Sequence, residues 1–175
     1  MTGDATWVRE YIRAIDDYPN QGVTYRDITP LLGNAAGFGR AVDDLVSSFH
    51  DVQIDMVVGI ESRGFILAAP VAYRLRAGFV PVRKAGKLPW AVAREEYSLE
   101  YGLDKLEIHR DAIRHGQRIL VVDDVLATGG TAAATGRLIN TLGGHIVGFA
   151  FLIELADLSG RKQLAGQRVE SLTSF

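Results

Sequence analysis

This 175-residue sequence lacks three features, and each absence argues against a class of function. It contains no cysteine, so disulfides, thiolate zinc sites and thiol nucleophiles are excluded. It has no apolar run long enough to span a bilayer, and its first residues, MTGDATWVRE, lack the basic region and apolar core of a signal peptide. It has no basic block and a formal net charge of -2, which argues against general nucleic-acid binding. We therefore expect a soluble, cytoplasmic protein with neither a membrane nor a nucleic-acid partner.

The most informative segment of the chain is Ile119–Thr131, which reads ILVVDDVLATGGT. It begins with a mostly β-branched apolar run, the pattern of a strand that is buried on both faces. Asp123 and Asp124 follow at the carboxyl end of this run, and Ala127-Thr128-Gly129-Gly130-Thr131 then leads into apolar residues at helical spacing. Glycines before a helix let the backbone approach an anion, whose negative charge the helix dipole favours.

The glycines alone would fit an ordinary tight turn between a strand and a helix equally well. The acid pair shifts the balance, because two adjacent carboxylates repel each other unless a positive or hydroxylated group lies between them. The segment is not a Walker loop, since no Gly-Lys-Ser/Thr follows. We interpret it as a phosphate cradle beside a clamp for sugar hydroxyls.

The rest of the chain alternates helical and strand patterns, which predicts one α/β domain with a central parallel sheet flanked by helices. Helices are predicted at about 7–15, 38–49, 65–75 and 159–165, and strands at 56–60, 79–82, 146–153 and, at the sheet edge, 169–172. Pro70 should bend its helix or lie near its first turn. The segment 18–29 is turn-rich yet apolar enough to pack against another part of the chain, and 90–113 is either a hairpin or a mobile flap.

Ligands of parallel sheets bind beyond the carboxyl ends of the strands, where three polar loops should converge on one rim. The loops are 61–64, 83–87 and 123–131. Arg83, Lys84 and Lys87 would also fit a solvated charge run, but their position directly after an apolar strand favours an anion site. Ser62-Arg63-Gly64 opens a helix and is either a second phosphate-binding turn or a simple serine cap.

Two further groups of titratable residues, Glu100 and the four histidines, are candidates for a role in function. Glu100 is either a solvated glutamate or an acid that the flanking Tyr97 and Tyr101 shield, which would raise its pKa and suit it to proton transfer. The four histidines, at positions 50, 109, 115 and 145, show no metal-binding spacing, so we expect them to be surface or structural residues.

Two anion loops and an acid pair suggest a sugar with phosphates at both ends, a phosphoribosyl diphosphate. VVDDVLATGGT resembles the signature of the type I phosphoribosyltransferases. Five further segments, in order from about Tyr18 onward, resemble the adenine-specific branch of that family: GVTYRDITPLL, GIESRGF, VRKAGKLP, YSLEYG and LIEL.

The resemblance implies transfer of a 5-phosphoribosyl group from phosphoribosyl diphosphate to adenine, which yields AMP and diphosphate in purine salvage. It implies Mg²⁺, bound mainly through substrate and water, and a homodimer in which the 83–87 loop reaches the neighbouring subunit's site. It also implies the type I fold in a single domain, 1–175, with a hood built from about 18–33 and 154–175 and a flexible catalytic flap at about 90–108.

Site roles are carried over by position. The 5′-phosphate is assigned to Ala127, Thr128, Gly129, Gly130 and Thr131, and the ribose hydroxyls to Asp123 and Asp124. The diphosphate is assigned to Arg63, Arg83, Lys84 and Lys87. Adenine is expected near Thr24, Arg26, Tyr101, Val125 and Leu155, and Glu100 occupies the position of the family's proposed catalytic acid.

Two alternatives stay open. The first is transfer to another purine, such as hypoxanthine, guanine or xanthine, because recognition of the base through backbone groups leaves little side-chain signature. The second is a regulator that keeps this fold as a nucleotide sensor. Such proteins usually add a DNA-binding module or a basic surface, and neither is visible in this sequence.

Overall fold

The centre of the fold is a seven-stranded sheet, in a computed structural model that describes residues 5–99 and 102–175. The strands in this part of the chain are β1 (Arg13–Ile15), β2 (Tyr25–Asp27), β3 (Met56–Ile60), β4 (Gly78–Lys84), β5 (Val92–Leu99), β6 (Gly102–His109), β7 (Arg118–Leu126), β8 (His145–Glu154) and β9 (Val169–Ser174). The sheet order is β5-β6-β4-β3-β7-β8-β9, and β1 pairs only with β2. Five neighbouring strands, β4, β3, β7, β8 and β9, are parallel. The other two, β5 and β6, form an antiparallel hairpin at one edge of the sheet.

The central strands are buried on both faces, which explains their uninterrupted apolar sequences. In β3, Val57 and Val58 point to opposite faces and both are fully buried. In β7, Leu120 and Val121 do the same. The helices therefore have to cover both faces of the sheet.

The helices are α1 (Thr6–Arg9), α2 (Thr29–Leu32), α3 (Ala35–Ser47), α4 (Arg63–Leu75) and α5 (Gly130–Thr141), with short 3₁₀ helices at Ala156–Leu158 and Gly160–Leu164. α3 and α4 pack with Val57 and Leu120 on one face, while α5 packs with Val58 and Val121 on the other. The sequence pattern of alternating helices and strands thus predicted the layers correctly. No described helix combines the length and apolarity needed to cross a membrane.

The amino-terminal prediction was wrong in its extent. The helix predicted for 7–15 ends at Arg9, and Ile15 lies in β1 with 36% of its surface exposed. The partner of β1 is β2, which belongs to the segment predicted to be irregular. Helical spacing over this short stretch was misleading because pairing with a later strand decides its conformation.

Other elements match the predictions more closely. The predicted strand at 56–60 is β3 as expected, and the predicted edge strand is β9, the last strand of the sheet. The segment 90–113 forms the hairpin of β5 and β6. The predicted helix at 159–165 is one of the two short 3₁₀ helices instead, and Pro70 lies inside α4, beyond its first turn.

Candidate active site

The loops after β3, β4 and β7 meet beyond the carboxyl ends of these strands, because the strands are adjacent and parallel. A cavity of about 600 Å³ opens between these loops. Ten of the residues with predicted site roles line it: Thr24, Arg26, Arg63, Lys84, Asp123, Asp124, Val125, Ala127, Thr131 and Leu155. The predicted convergence of the three loops is therefore confirmed.

The acid pair lies within β7 and is held beside an arginine from a different loop. The Nε of Arg63 lies 2.6 Å from Oδ2 of Asp124, whose side chain is only 7% exposed. Arg63 also donates a hydrogen bond to the phenol oxygen of Tyr25 and lies over its ring. Arg63 is thus the positive group that two adjacent carboxylates require, and it links the acid pair to the segment that contains β2.

The surroundings of the acid pair favour protonation. Burial raises the pKa of Asp123 well above its ordinary value, and the charge of Asp124 raises it further. Burial also raises the pKa of Asp124, although Arg63 opposes the shift. Among the described residues, Oδ2 of Asp124 is buried and accepts no directed hydrogen bond. A carboxylate of this kind is suited to a hydroxyl that a ligand brings with it.

Position 64 has room only for glycine, because the acid pair lies directly against its backbone. A Cβ at this position would lie 2.6 Å from Oδ1 of Asp123 and 3.1 Å from the carbonyl oxygen of Val122. Any larger residue would displace the carboxylate. The glycine after Arg63 therefore lets the loop at the start of α4 lie directly against β7.

The loop after β7 presents free backbone amides at the start of α5. Gly129 caps this helix with φ at +83°, a left-handed conformation that glycine adopts without steric cost. The N–H groups of the first turn have no partner inside a helix, so they are available to an anion. A cavity of about 70 Å³, lined by Thr128, Gly129 and Thr131 among others, adjoins the larger one. This arrangement suits a phosphate group.

The cationic loop after β4 is held by three carboxylates. Arg83 donates to both carboxylate oxygens of Glu61, at 3.0 and 3.2 Å. Nζ of Lys84 lies 3.2 Å from Oδ2 of Asp104. The amide of Gly86 donates to the buried Glu107 at 2.8 Å. The loop is thus fixed from β3 on one side and from the hairpin on the other.

The opposite end of the cavity is formed by the segment around β2 and the end of β8. Asp27 accepts hydrogen bonds from the amide and hydroxyl of Thr29, which holds the turn after β2. These bonds lower the pKa of Asp27. The guanidinium of Arg26 lies 4.3 Å from the centre of the Phe175 ring. Leu155 and Val125 add apolar surface to the cavity lining, which suits a flat, apolar ring with polar edges.

Comparison with known proteins gives a consistent result. The model of the family described as "Phosphoribosyl transferase domain" matches residues 32–166. An adenine phosphoribosyltransferase of Cyanothece sp. is 54% identical over 168 residues, which cover 96% of this chain and 99% of that protein. One from Brucella suis is 52% identical and covers 99% of this chain and 97% of its own length.

Solved structures agree. Adenine phosphoribosyltransferase from Thermoanaerobacter pseudethanolicus superposes with a TM-score of 0.95 at 46% identity, covering 98% of this chain and 99% of that one. The enzyme from Saccharomyces cerevisiae, complexed with an imino-altritol bisphosphate and adenine, superposes with a TM-score of 0.91 at 37% identity, again covering 98% and 99%. The chain belongs to the adenine phosphoribosyltransferase family.

Within this phosphoribosyltransferase, some predicted site residues lie outside the main cavity. Thr128 and Gly129 line the smaller cavity, and Gly130 is the first residue of α5. Arg83 and Lys87 do not line either cavity, and the side chain of Arg83 also donates to the carbonyl oxygen of Lys87 at 3.1 Å. Two further predictions, Glu100 and Tyr101, lie outside the described residues.

Several residues that line the cavity of the phosphoribosyltransferase were not among the assigned site residues, although Ser62 was considered as part of a phosphate-binding turn and Tyr97 as a shield of Glu100. They are Val23, Tyr25, Ile60, Glu61, Ser62, Tyr97, Asp104 and Leu106. Glu61 and Ser62 belong to a loop that was predicted to reach this rim, so their presence follows from the strand pattern. Tyr97 and Asp104 face each other across the hairpin, and their meeting depends on a strand register that residue spacing does not reveal.

Proposed function

We infer that this chain transfers the 5-phosphoribosyl group from phosphoribosyl diphosphate to adenine, forming AMP and diphosphate in purine salvage. One observation carries the inference: a single cavity joins the acid pair and the phosphate loop to the segment 23–26. The ribose-5-phosphate half of the donor and the purine acceptor can therefore be held side by side. The adenine phosphoribosyltransferases to which the chain is similar support the same reaction.

We propose the following roles for the donor half of the site. The loop 127–131 binds the 5′-phosphate through its free amides and hydroxyls. Asp123 and Asp124 bind the ribose hydroxyls, and their burial in the cavity wall beside Arg63 supports this role. Arg63 and the 83–87 loop face the diphosphate. Arg83 is paired with Glu61 and lines neither cavity of this chain, so we propose that it reaches the diphosphate after leaving Glu61, in its own subunit or in a neighbouring one.

We propose that Mg²⁺ would be held mainly by the diphosphate and by water. The described residues contain no group of three His, Cys, Asp or Glu side chains able to hold a metal. The carboxylates of Asp123 and Asp124 line the cavity and are donors of the kind that Mg²⁺ prefers. When bound, Mg²⁺ neutralises charge on the departing diphosphate.

The chemistry needs no protein nucleophile. The bond from C1 of the ribose to the diphosphate oxygen breaks, and a bond from C1 to a ring nitrogen of adenine forms. Cationic side chains stabilise the negative charge that develops on diphosphate, and the base loses the proton from its ring nitrogen. The hairpin of β5 and β6 is the segment proposed as the flap, about 90–108, and it lines the cavity through Tyr97 and Leu106. In this position it would exclude water.

Glu100 is proposed to exchange a proton with adenine, as an acid or base, when the ring nitrogen bonds to C1. Glu100→Ala is expected to lower kcat by about 10²-fold or more, the scale of a positioned acid or base. Glu96→Gln, on the preceding part of the hairpin, is the control and should keep most of the activity. An unchanged kcat in Glu100→Ala would remove this role.

The base is proposed to lie against Val125 and Leu155, with backbone groups of 24–26 reading its edge and Arg26 and Tyr101 nearby. The test is a parallel assay of adenine, hypoxanthine, guanine and xanthine with phosphoribosyl diphosphate. Adenine should give the highest kcat/KM. A higher value for any oxo-purine would overturn the assignment of the acceptor.

We propose that the chain works as a cytoplasmic homodimer of single-domain subunits, with a hood at about 18–33 and 154–175. An exposed apolar strip on one face supports the dimer. Ile66 and Tyr73, seven residues apart on α4, are 43% and 83% exposed, and Phe79 on the neighbouring β4 is 38% exposed. We name these three residues the α4 strip. Its residue Phe79 lies on β4, the strand that leads into the 83–87 loop, so a partner on this face would bring the 83–87 loops of the two subunits close.

A further inference from the structure

A carboxylate that has no role in the proposed reaction lies in the wall of the cavity. Asp104 on β6 faces Tyr97 on β5, and both line the cavity. Its Oδ1 accepts a hydrogen bond from the amide of Lys105 at 2.8 Å, and its Oδ2 accepts one from the Tyr97 hydroxyl at 3.2 Å. The ammonium of Lys84 lies 3.2 Å from the same Oδ2. Asp104 is therefore fixed in position by three donors.

Asp104 carries a negative charge at neutral pH. Partial burial alone would raise its pKa, but the amide of Lys105 and the ammonium of Lys84 outweigh burial and lower it. Burial raises the pKa of Tyr97, so its phenol stays protonated and donates. The side chain of Asp104 is 23% exposed and that of Lys84 is 60% exposed. The ion pair thus lies at the mouth of the cavity, where an incoming anion would meet it.

The ion pair opposes the function proposed for Lys84. An ammonium that is paired with Asp104 must leave it, or share it, to bind a diphosphate. Once the ammonium moves, the ionised carboxylate of Asp104 remains in the wall of a cavity that holds the diphosphate. The negative charges of Asp104 and the diphosphate then repel each other. Arg63 and Arg83 are likewise paired with carboxylates, Asp124 and Glu61. Asp124 has a proposed role in binding ribose and Arg83 does not line the cavity, whereas Lys84 and Asp104 both line it and Asp104 has no such role.

We propose that Asp104 is a positioning residue that holds Lys84 and Tyr97 at the cavity wall without substrate and weakens the binding of diphosphate groups. This inference rests on the proposed function and deepens it. The residue sets the affinity for phosphoribosyl diphosphate and aids release of the product diphosphate. Lys84 and Tyr97 contact the ligand when it binds and contact Asp104 again after it is released.

The test compares wild type with Asp104→Asn, which keeps the size of the side chain and removes its charge. The dissociation constant of inorganic diphosphate with Mg²⁺, measured by isothermal titration, should fall about three- to tenfold, as should the KM for phosphoribosyl diphosphate. The KM for adenine should stay close to the wild-type value. Asp111→Asn removes an exposed charge between β6 and β7 and should change none of these quantities.

A gain in affinity separates this role from a structural one, because damage to the fold would weaken binding. Weaker or unchanged binding of diphosphate in Asp104→Asn would overturn the inference. If that variant does not fold, Asp104→Ser removes the same charge and should show the same gain. A wild type that binds no diphosphate and forms no AMP would instead refute the proposed function.

A second measurement tests whether Asp104 acts through Lys84. The gain in affinity from Asp104→Asn should have two causes, the release of Lys84 and the loss of repulsion between Asp104 and the diphosphate. In a Lys84→Met background the first cause is absent, so the gain should be smaller. An equal gain in both backgrounds would show that Asp104 does not act by holding Lys84, and this part of the inference would fail.

Discussion

At the scale of single residues, Asp123 shows how the site trades stability for ligand binding. Asp123 is buried beside Asp124. Its burial and the charge of Asp124 both raise its pKa and so favour the protonated form. The folded protein therefore holds this proton more tightly than the unfolded chain does. Its stability falls as pH rises from the ordinary Asp pKa towards the raised one.

Asp123→Asn should consequently be more stable than wild type at pH 7. An increase in Tm of about 2–4 °C corresponds to ~1 kcal/mol in a domain of this size, and it should vanish below about pH 4, where the wild-type carboxyl is also protonated. Binding of phosphoribosyl diphosphate should weaken more than binding of adenine. Thermal unfolding at both pH values and isothermal titration check this. A lower Tm at pH 7, or a larger loss for adenine, would contradict the assignment.

Gly160 is a residue of the site that sequence reasoning missed. A Cβ here would lie 2.2 Å from the carbonyl oxygen of Ala127, so the 3₁₀ helix Gly160–Leu164 supports the phosphate loop from behind. Gly160→Ala should raise the KM for phosphoribosyl diphosphate by about tenfold or more, the scale of a small misplacement of a binding group. The KM for adenine should change less.

Gly39→Ala is the matched control for Gly160→Ala. Gly39 lies in α3, and a Cβ there would meet nothing within 4 Å. This substitution should leave both KM values unchanged and slightly raise Tm, since alanine favours helix. Equal kinetic effects of the two substitutions would show that the 3₁₀ helix does not support the loop.

The residue types at the site were largely predictable, whereas their partners were not. The acid pair and the phosphate loop are contiguous in sequence, so their chemistry could be predicted from their order. Arg63 was predicted to contact the diphosphate, and its ion pair with Asp124 joins two distant parts of the chain. The contact between Asp104 and Lys84 likewise depends on tertiary structure.

At the scale of elements, Glu107 joins the hairpin to the cationic loop. It is 1% exposed on β6 and accepts hydrogen bonds from Gly86 of the loop and Arg94 of β5. Burial alone would raise its pKa, but these two donors outweigh burial and lower it. The stability that Glu107 contributes is therefore present above the ordinary Glu pKa and is lost as pH falls through the lowered one.

Glu107→Gln should lower Tm at pH 7 and raise the KM for phosphoribosyl diphosphate by about three- to tenfold, because the loop loses one fixed end. The difference in Tm should shrink on acidification. Thermal unfolding between pH 3 and pH 7, together with steady-state kinetics, measures both effects. Glu96→Gln on the exposed face of the hairpin serves as the control. A difference in Tm that grows at low pH would contradict this role of Glu107.

The elements were predictable where burial decides them. β3 and β7 are apolar on both faces, so their identity and position follow from sequence alone. β1 is a three-residue strand with all three residues exposed, and its pairing with β2 is a long-range contact that leaves no periodic signal. A hairpin was one of the two predictions for 90–113, but its place at one edge of the sheet beside β4 could not be predicted from the alternation of helices and strands.

At the scale of the whole molecule, the α4 strip makes a prediction about assembly. Tyr73→Glu places a charge in the proposed interface, so it should shift the protein from dimer to monomer in sedimentation velocity and lower kcat/KM. Leu158→Glu, at another exposed apolar residue, should keep the dimer. If Tyr73→Glu remains a dimer, the interface lies elsewhere.

The central claim is that one cavity holds ribose-5-phosphate at 123–131 and the purine at 23–26. A crystal structure with AMP bound tests it most directly. We expect the 5′-phosphate on the amides of 127–131, the ribose hydroxyls on Asp123 and Asp124, and adenine between Val125 and Arg26. A phosphate bound at the 83–87 loop, with the base on the opposite side, would contradict the account.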